Sequence, residues 1–175
     1  MSSPAPSPPK AYIDTMVFIY HFKQHALTPK ADNFFKDIEK GKYAGVTTSF
    51  TITEYIAVMR KALAEARNGP STSTDVIKLR KQIEEFISNM GIVYFDADPL
   101  TSGVYGKFFS SVENVVENAK HFKNRRTNKW FVVNGADALH VVMAVRAGAD
   151  FYATFDDDFR GVDSWIKPLM LFEVY

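Results

Sequence analysis

Short apolar segments alternate with helical patterns along this chain, and that alternation limits the fold more than any other feature. Residues 11–13, 43–47, 92–95 and 151–154 have the length and apolar content of buried strands. Apolar residues at helical spacing separate them, most clearly between residues 50 and 67. Because strands that alternate with helices form parallel sheets, the sequence predicts an α/β fold with a central parallel sheet.

Local signals place the remaining elements. The predicted helices are residues 15–23, a helix from Pro29 to just before Gly41, residues 74–89, a weaker helix over 101–118, and residues 135–147. A closing strand is predicted over residues 168–174, a turn over 96–99 and a polar basic segment over 119–129.

Length and composition indicate one globular domain. Residues 1–9 are rich in proline and serine, which predicts a flexible tail, and residues 10–175 are expected to form a single domain. The amino-terminal residues lack the apolar core of a signal peptide, and no apolar stretch is long enough to span a bilayer. Cysteine is absent, which excludes disulfides and thiolate chemistry and favours a cytoplasmic location.

Four carboxylates lie next to the predicted apolar elements. Asp14 and Asp156 follow strands, and we expect Glu54 and Asp137 in the first turns of helices. In a parallel α/β sheet, strand carboxyl ends and helix amino ends share the edge where ligands bind. All four acids should therefore face one crevice, which needs protons or a cation to be stable. Oxygen ligands suit hard ions such as Mg²⁺ and Mn²⁺.

Each acid also has a structural explanation when it is taken alone. Thr51 to Glu54 matches a capping box, and Asp14 is placed to be the N-cap of the first helix. Asp137 could complement a helix dipole, and residues 156–158 could form a solvated turn. The combination of four acids at one predicted edge is what favours a functional site.

The histidines are weaker signals. His140 follows Asp137 by three residues on nearly the same helical face, so it either bonds to that acid or packs in the core. His21 and His25 have the spacing of zinc ligands, but Phe22 replaces the glutamate of the HExxH motif. We therefore expect them to be ordinary surface residues.

Three sequence blocks contain these acids. They are YIDTMVFIYHF with Asp14, TTSFTITEYIAVM with Glu54, and ADALHVVMAVRAGADFYATFDDDF with Asp137 and Asp156. In these blocks, and in their order over nearly the whole chain, the protein resembles the PIN-domain ribonucleases, especially the VapC-type toxins of toxin–antitoxin systems. The third block is the most specific. The chain departs from the family at Met16 and Phe155, where members often have asparagine.

The resemblance implies a three-layer α/β/α PIN-like fold and cleavage of RNA that depends on Mg²⁺ or Mn²⁺. It implies that the four acids are catalytic and bind the metal, with Asp158 as an auxiliary ligand. Thr15 and Thr154 would be hydroxyls beside the site, with His140 as a further supporting side chain. A homodimer is also implied, together with a cognate antitoxin bound to the apolar surface of the early helices.

One basic segment offers contacts for a nucleic acid. The candidate phosphate-binding cations are Lys120, Lys123, Arg125, Arg126 and Lys129. Phe122 and Trp130 could stack on unpaired bases, although a solvated basic loop is equally compatible with this composition. Since the net charge of the chain is only +1, affinity for nucleic acid would have to be local.

The leading hypothesis is a metal-dependent endoribonuclease that cleaves single-stranded or structured RNA, as the toxin of a toxin–antitoxin pair. An RNA-processing PIN nuclease without an antitoxin, and an inactive PIN module that binds RNA or protein, remain as alternatives. A HAD-type phosphatase is disfavoured because Met16 replaces its second aspartate. The chain also lacks the GxxxxGK[ST], GxGxxG and GxSxG motifs, which disfavours nucleotide-loop, dinucleotide and serine-hydrolase chemistry.

Overall fold

A computed structural model describes residues 6–95, 105–120, 122–123 and 130–175. The strands are β1 (Lys10–Ile13), β2 (Ala44–Thr47), β3 (Val93–Tyr94), β4 (Phe122–Lys123), β5 (Trp130–Phe131), β6 (Phe151–Thr154) and β7 (Lys167–Met170). The helices are α1 (Thr15–Phe22), α2 (Thr28–Glu39), α3 (Ser49–Arg67), α4 (Ser73–Asn89), α5 (Tyr105–Asn118), α6 (Gly135–Arg146) and α7 (Leu171–Val174), with a 3₁₀ helix over Asp157–Val162.

Five strands form one parallel sheet in the order β3-β2-β1-β6-β7, which confirms the predicted α/β class. From β1 the chain winds outward through β2 to β3. It then returns to the other side of β1 and continues through β6 to β7. The topological switch point therefore lies at the carboxyl ends of β1 and β6, where ligands bind in open α/β sheets.

Two apolar cores cover the two faces of the sheet. Alternation along β1 places Ala11 and Ile13 in a core shared with α1 to α4. Tyr12 faces the opposite way, into a core shared with α5 and α6. Tyr12 is also paired in register with Tyr152 of β6, and the two rings stack with centroids 5.4 Å apart. The result is the three-layer α/β/α arrangement predicted from the sequence.

The end of the chain differs from the prediction. Only the first part of the predicted closing strand is β7, and the last residues form the single turn α7. Lys30 Nζ donates to the carbonyl oxygens of Phe172 and Tyr175, and the Tyr175 hydroxyl donates to Asp37. These bonds hold the last residues in a helical turn against α2, which is why they leave the sheet.

The basic segment also differs, because part of it forms an antiparallel strand pair rather than a loop. Phe122 is opposite Phe131, and Lys123 is opposite Trp130. The predicted turn at 96–99 and the first residues of the weak helix, 101–104, lie outside the described residues. Among the helices that the structure describes, none is both long and apolar enough to cross a bilayer.

An ion pair between the exposed Arg67 and the buried carboxylate of Asp75 joins the end of α3 to the start of α4. The carboxylate of Asp75 accepts from the Thr72 backbone N–H at 2.9 Å and from Arg67 Nη1 at 2.8 Å. Thr72 caps the helix in return, through its hydroxyl and the Asp75 N–H. The bonds from the Thr72 backbone and from Arg67 lower the pKa of Asp75 from 3.8 to about 2.

We predict that Asp75→Asn lowers the free energy of unfolding at pH 7 and has a smaller effect, about half as large, at pH 3, which lies between the folded and unfolded pKa values. A lowered carboxyl pKa contributes stability above the unfolded pKa, and that stability is lost as the pH falls toward the folded value. Urea unfolding at both pH values measures the difference. Glu85→Gln is the control, because its partner Lys81 is 3.6 Å away in an exposed pair. An Asp75→Asn deficit that is equal at both pH values would contradict the prediction.

Candidate active site

Asp14 is the most deeply buried of the four acids, with 4% of its surface exposed. It is the N-cap residue of α1, as the sequence suggested, but its side chain makes no capping bond. The carboxylate accepts instead from the Tyr152 hydroxyl at 3.2 Å and from Thr154 Oγ1 at 2.6 Å. Burial raises the pKa of Asp14, and the nearby charges of Asp156 and Glu54 raise it further, against the opposing effect of His140.

Glu54 lies in the second turn of α3, not in the first as predicted. The helix begins at Ser49, and its N-cap is Thr48, whose hydroxyl accepts from the Thr51 backbone N–H. Glu54 is therefore too far along the helix to cap it. Its Oε2 accepts from the Thr15 hydroxyl and from His140 Nε2, the latter at 2.9 Å. The bond from His140 is the main cause that lowers the pKa of Glu54.

Asp137 has a structural role at the start of α6. Asn134 is the N-cap, and its side chain accepts from the Asp137 backbone N–H at 3.2 Å. The Asp137 carboxylate accepts in return from the Asn134 backbone N–H at 2.9 Å, through Oδ2. Burial nevertheless raises the pKa of Asp137, and the charges of Asp156 and Asp14 add to that rise. Asp137 therefore caps a helix and is also part of the acidic group.

Asp156 and Asp158 lie at the start of the 3₁₀ helix and are partly buried, so the solvated-turn explanation is wrong. Asp156 Oδ1 accepts from the Asp158 backbone N–H, and the Asp156 N–H donates to Thr154 Oγ1, both at 2.9 Å. Asp158 Oδ1 is buried without a hydrogen-bond partner in the described part of the chain. Burial, followed by the charges of Asp156 and Asp137, raises the pKa of Asp158 to about 6.

These carboxylates act on one another electrostatically. Asp14 is affected by Asp156 and Glu54, and Asp158 is affected by Asp156 and Asp137. They come from four parts of the fold and lie around the switch point of the sheet. Even so, the described residues include no group of three acidic, histidine or cysteine side chains arranged to hold a metal ion. The carboxylates of Asp14, Glu54, Asp137 and Asp156 are instead bonded to separate donors.

His140 contacts a different acid from the one suggested by the sequence. Its side chain bonds to Glu54 through Nε2 and to the Tyr12 hydroxyl through Nδ1, both at 2.9 Å. Asp137 is three residues away in sequence, but it is bonded to Asn134 instead. Tyr12 and Tyr152 were missed as site residues. The available signal was a tyrosine in each of two apolar strands, because a buried hydroxyl needs a partner.

Both predicted threonines donate hydrogen bonds to acids. Thr15 donates to Glu54, and Thr154 donates to Asp14. The two histidines considered as zinc ligands do not form a pair. His21 bonds to Asp32 at 2.7 Å, whereas the exposed His25 lies beyond the end of α1 and stacks on Tyr20.

The proposed RNA-binding residues have different environments. Lys120 is paired with Asp163 at 2.9 Å. Trp130 is 63% exposed, and Lys123 Nζ lies 6.0 Å from its ring centroid. Arg125, Arg126 and Lys129 lie outside the described residues.

The strand pair β4–β5 is attached beside the acids through a close backbone contact. The Lys120 N–H donates to the Gly161 carbonyl at 3.1 Å. A Cβ atom on Gly161 would lie 2.2 Å from the Lys120 carbonyl oxygen, so only glycine fits. Gly161 belongs to the 3₁₀ helix that contains Asp158, and β4 packs against that helix. The exposed Trp130 therefore projects from a segment attached next to the acidic group.

No protein-family model matches this chain, and no curated protein matches it significantly. The resemblance to PIN domains accordingly depends on the three sequence blocks.

We predict that Asp158→Asn raises the free energy of unfolding of the metal-free protein at pH 7.5 by about 1 kcal/mol or more. The raised pKa means that ionised Asp158 destabilises the folded state. This destabilisation is absent below about pH 4, where Asp158 is protonated in both states, and it reaches its full size above about pH 6. Urea unfolding in EDTA at pH 7.5 and pH 4 measures it.

Asp157→Asn is the matched control, because Asp157 forms an ion pair with Arg160 at 2.8 Å. This neighbouring substitution should be neutral or slightly destabilising. A loss of stability in Asp158→Asn at pH 7.5, or the same gain in both variants, would contradict the prediction.

Proposed function

We propose that this protein is a metal-dependent endoribonuclease whose acidic site holds Mg²⁺ or Mn²⁺ at the switch point of the sheet. The observation that carries the proposal is the convergence of mutually repelling carboxylates on that edge. Burial and like charges raise the pKa values of Asp14, Asp137 and Asp158. Such a cluster gains stability from bound protons or from a cation.

The donor chemistry fits a hard divalent cation. Carboxylates, with the hydroxyls of Thr15 and Thr154 beside them, are the oxygen groups that Mg²⁺ and Mn²⁺ prefer. The unpartnered, buried Asp158 Oδ1 is an acceptor without a donor, which a cation would satisfy. The hydrogen bonds shown for Asp137 and Asp156 use one oxygen of each carboxylate.

The residues that would hold the ion are Asp14, Asp137 and Asp156, with Glu54 and Asp158 contributing directly or through water. When bound, the ion would supply charge that neutralises a phosphodiester and lowers the pKa of a water molecule. Tyr152 and Thr154 hold the carboxylate of Asp14, and Thr15 and His140 hold that of Glu54. These bonds limit how far the two carboxylates can rotate, so the acids are oriented before a substrate arrives.

The strand pair β4–β5 supports RNA as the substrate. An indole that is 63% exposed offers a face for an unpaired base, and Lys123 beside it suits a phosphate. The contact between Lys120 and Gly161 keeps this surface next to the helix of Asp158. A nucleotide stacked on Trp130 would thus be held near the acids.

The resemblance favours the toxin of a toxin–antitoxin pair, acting as a homodimer with a cognate antitoxin. A small antitoxin gene beside the gene for this chain would separate that form from an RNA-processing nuclease. An inactive binding module is less compatible with the retention of all four acids, and metal titration separates it from both nucleases.

We predict that the protein cleaves RNA with Mg²⁺ or Mn²⁺ and that excess EDTA abolishes cleavage. Asp14→Asn should reduce the rate by about 100-fold or more, because it removes a charge that holds the ion. Asp157→Asn should retain most of the wild-type rate, since that carboxylate is paired with Arg160. Gel analysis of a labelled RNA measures both variants. Equal cleavage in EDTA, or by Asp14→Asn, would overturn the proposed function.

We predict that Trp130→Ala weakens binding of a single-stranded RNA by about 5- to 100-fold, the range expected for the loss of one base–aromatic stack. Binding is measured in the Asp14→Asn background, where the RNA should stay intact. In a Trp165→Phe variant, Trp130 is the remaining tryptophan, and its fluorescence should be quenched by the RNA. Cleavage of a small aromatic phosphodiester is the control and should be unaffected by Trp130→Ala. Unchanged RNA affinity in that variant would remove this surface from the substrate path.

A further inference from the structure

We infer that His140 is a positioning residue that fixes the Glu54 carboxylate, and that the Tyr12 hydroxyl holds the imidazole in place for this task. The inference builds on the proposed function in that Glu54 is taken as an acid of the metal site. The bonds from His140 to Glu54 and Tyr12 do not themselves depend on that assignment.

The imidazole of His140 has little freedom to move. Only 2% of the residue is exposed, and both of its ring nitrogens are bonded. The ring of Phe50 packs on it with centroids 4.6 Å apart, and the ring of Tyr12 meets it edge-on at 5.9 Å. A ring that is bonded at both nitrogens and packed against two aromatic rings is a rigid support.

The direction of the hydrogen bonds follows from the chemistry of the partners. Ionised Glu54 can only accept, so His140 Nε2 carries the proton of that bond. In the neutral ring Nδ1 then accepts from the Tyr12 hydroxyl. Burial raises the pKa of Tyr12, which keeps its phenol protonated and able to donate.

The Tyr12 hydroxyl is itself held by a pair of threonines. The hydroxyls of Thr48 and Thr51 both lie 3.0 Å from it. Thr48 is the N-cap of α3, the helix that carries Glu54. The network therefore joins β1, α3 and α6 at the carboxyl edge of the sheet.

The effect of this network falls on one atom of Glu54. The bonds from Thr15 and from His140 both reach Oε2, which leaves Oε1 as the oxygen that can face an ion. Glu54 is partly exposed, so without these bonds its side chain would sample several rotamers and would lose that freedom on binding an ion. Outer donors of this kind typically change metal affinity by about 10- to 100-fold when they are removed.

The test compares four variants in the full-length protein. His140→Leu removes the donor and keeps a bulky side chain, whereas His140→Gln keeps an N–H donor. Tyr12→Phe removes only the hydroxyl that holds the ring. Tyr152→Phe is the matched control, because the Tyr152 hydroxyl bonds to Asp14 and not to Glu54.

The first readout is the carbon-13 chemical shift of the Glu54 carboxyl group in the metal-free protein, assigned with the Glu54→Gln variant. The second is Mn²⁺ affinity from electron paramagnetic resonance.

We expect His140→Leu to move the Glu54 signal and to weaken Mn²⁺ binding by about tenfold. His140→Gln should recover part of both properties. Tyr12→Phe should move the Glu54 signal more than Tyr152→Phe does.

An unchanged Glu54 signal in His140→Leu overturns the inference, and so does wild-type Mn²⁺ affinity in that variant. If His140→Leu does not fold, unchanged Glu54 signals in both His140→Gln and Tyr12→Phe overturn it instead. Wild-type protein that binds no Mn²⁺ refutes the proposed metal site, and the metal-free carbon-13 shifts then decide the role of His140 alone.

Discussion

The pairing of β1 with β6 is the contact on which the site depends. It places Asp14, at the end of one strand, against Tyr152 and Thr154 of the other. Because the chain reverses its winding direction between these strands, the helices that follow and precede them leave a crevice at their carboxyl ends. A buried carboxylate at that position is costly unless donors hold it. Two hydroxyls from the neighbouring strand fill that role.

The site therefore combines fixed acids with unrelieved repulsion. Asp14 and Glu54 are held by hydroxyl and imidazole donors, whereas Asp158 has a buried oxygen without a partner. Stability is lost where like charges meet, as is common where a site is shaped for a ligand and not for maximum stability. A divalent cation would remove that repulsion, and this is the physical reason why a metal site is favoured over a purely structural cluster.

The sequence predicted the sheet, most helices and the edge at which the acids meet, because apolar spacing and chain order determine these features. It failed at particular contacts. The pattern from Thr51 to Glu54 predicted a capping box, whereas α3 begins at Ser49 with Thr48 as its N-cap, so Glu54 lies in the second turn. The sequence suggested Asp137, three residues away along the chain, as the partner of His140. The partner in the structure is Glu54, which is 86 residues away along the chain. Such long-range contacts follow from packing, which spacing along one helix does not reveal.

The most direct test of the metal site is anomalous diffraction from a crystal of this protein grown with Mn²⁺. We predict a manganese peak at the carboxyl ends of β1 and β6, within about 2.0–2.3 Å of carboxylate oxygens that include those of Asp14 and Asp156. The same crystal form of Asp14→Asn should lack the peak or show it strongly reduced. A saturated wild-type crystal with no peak at this edge, or with one only elsewhere, would contradict the proposal that these acids form one metal site.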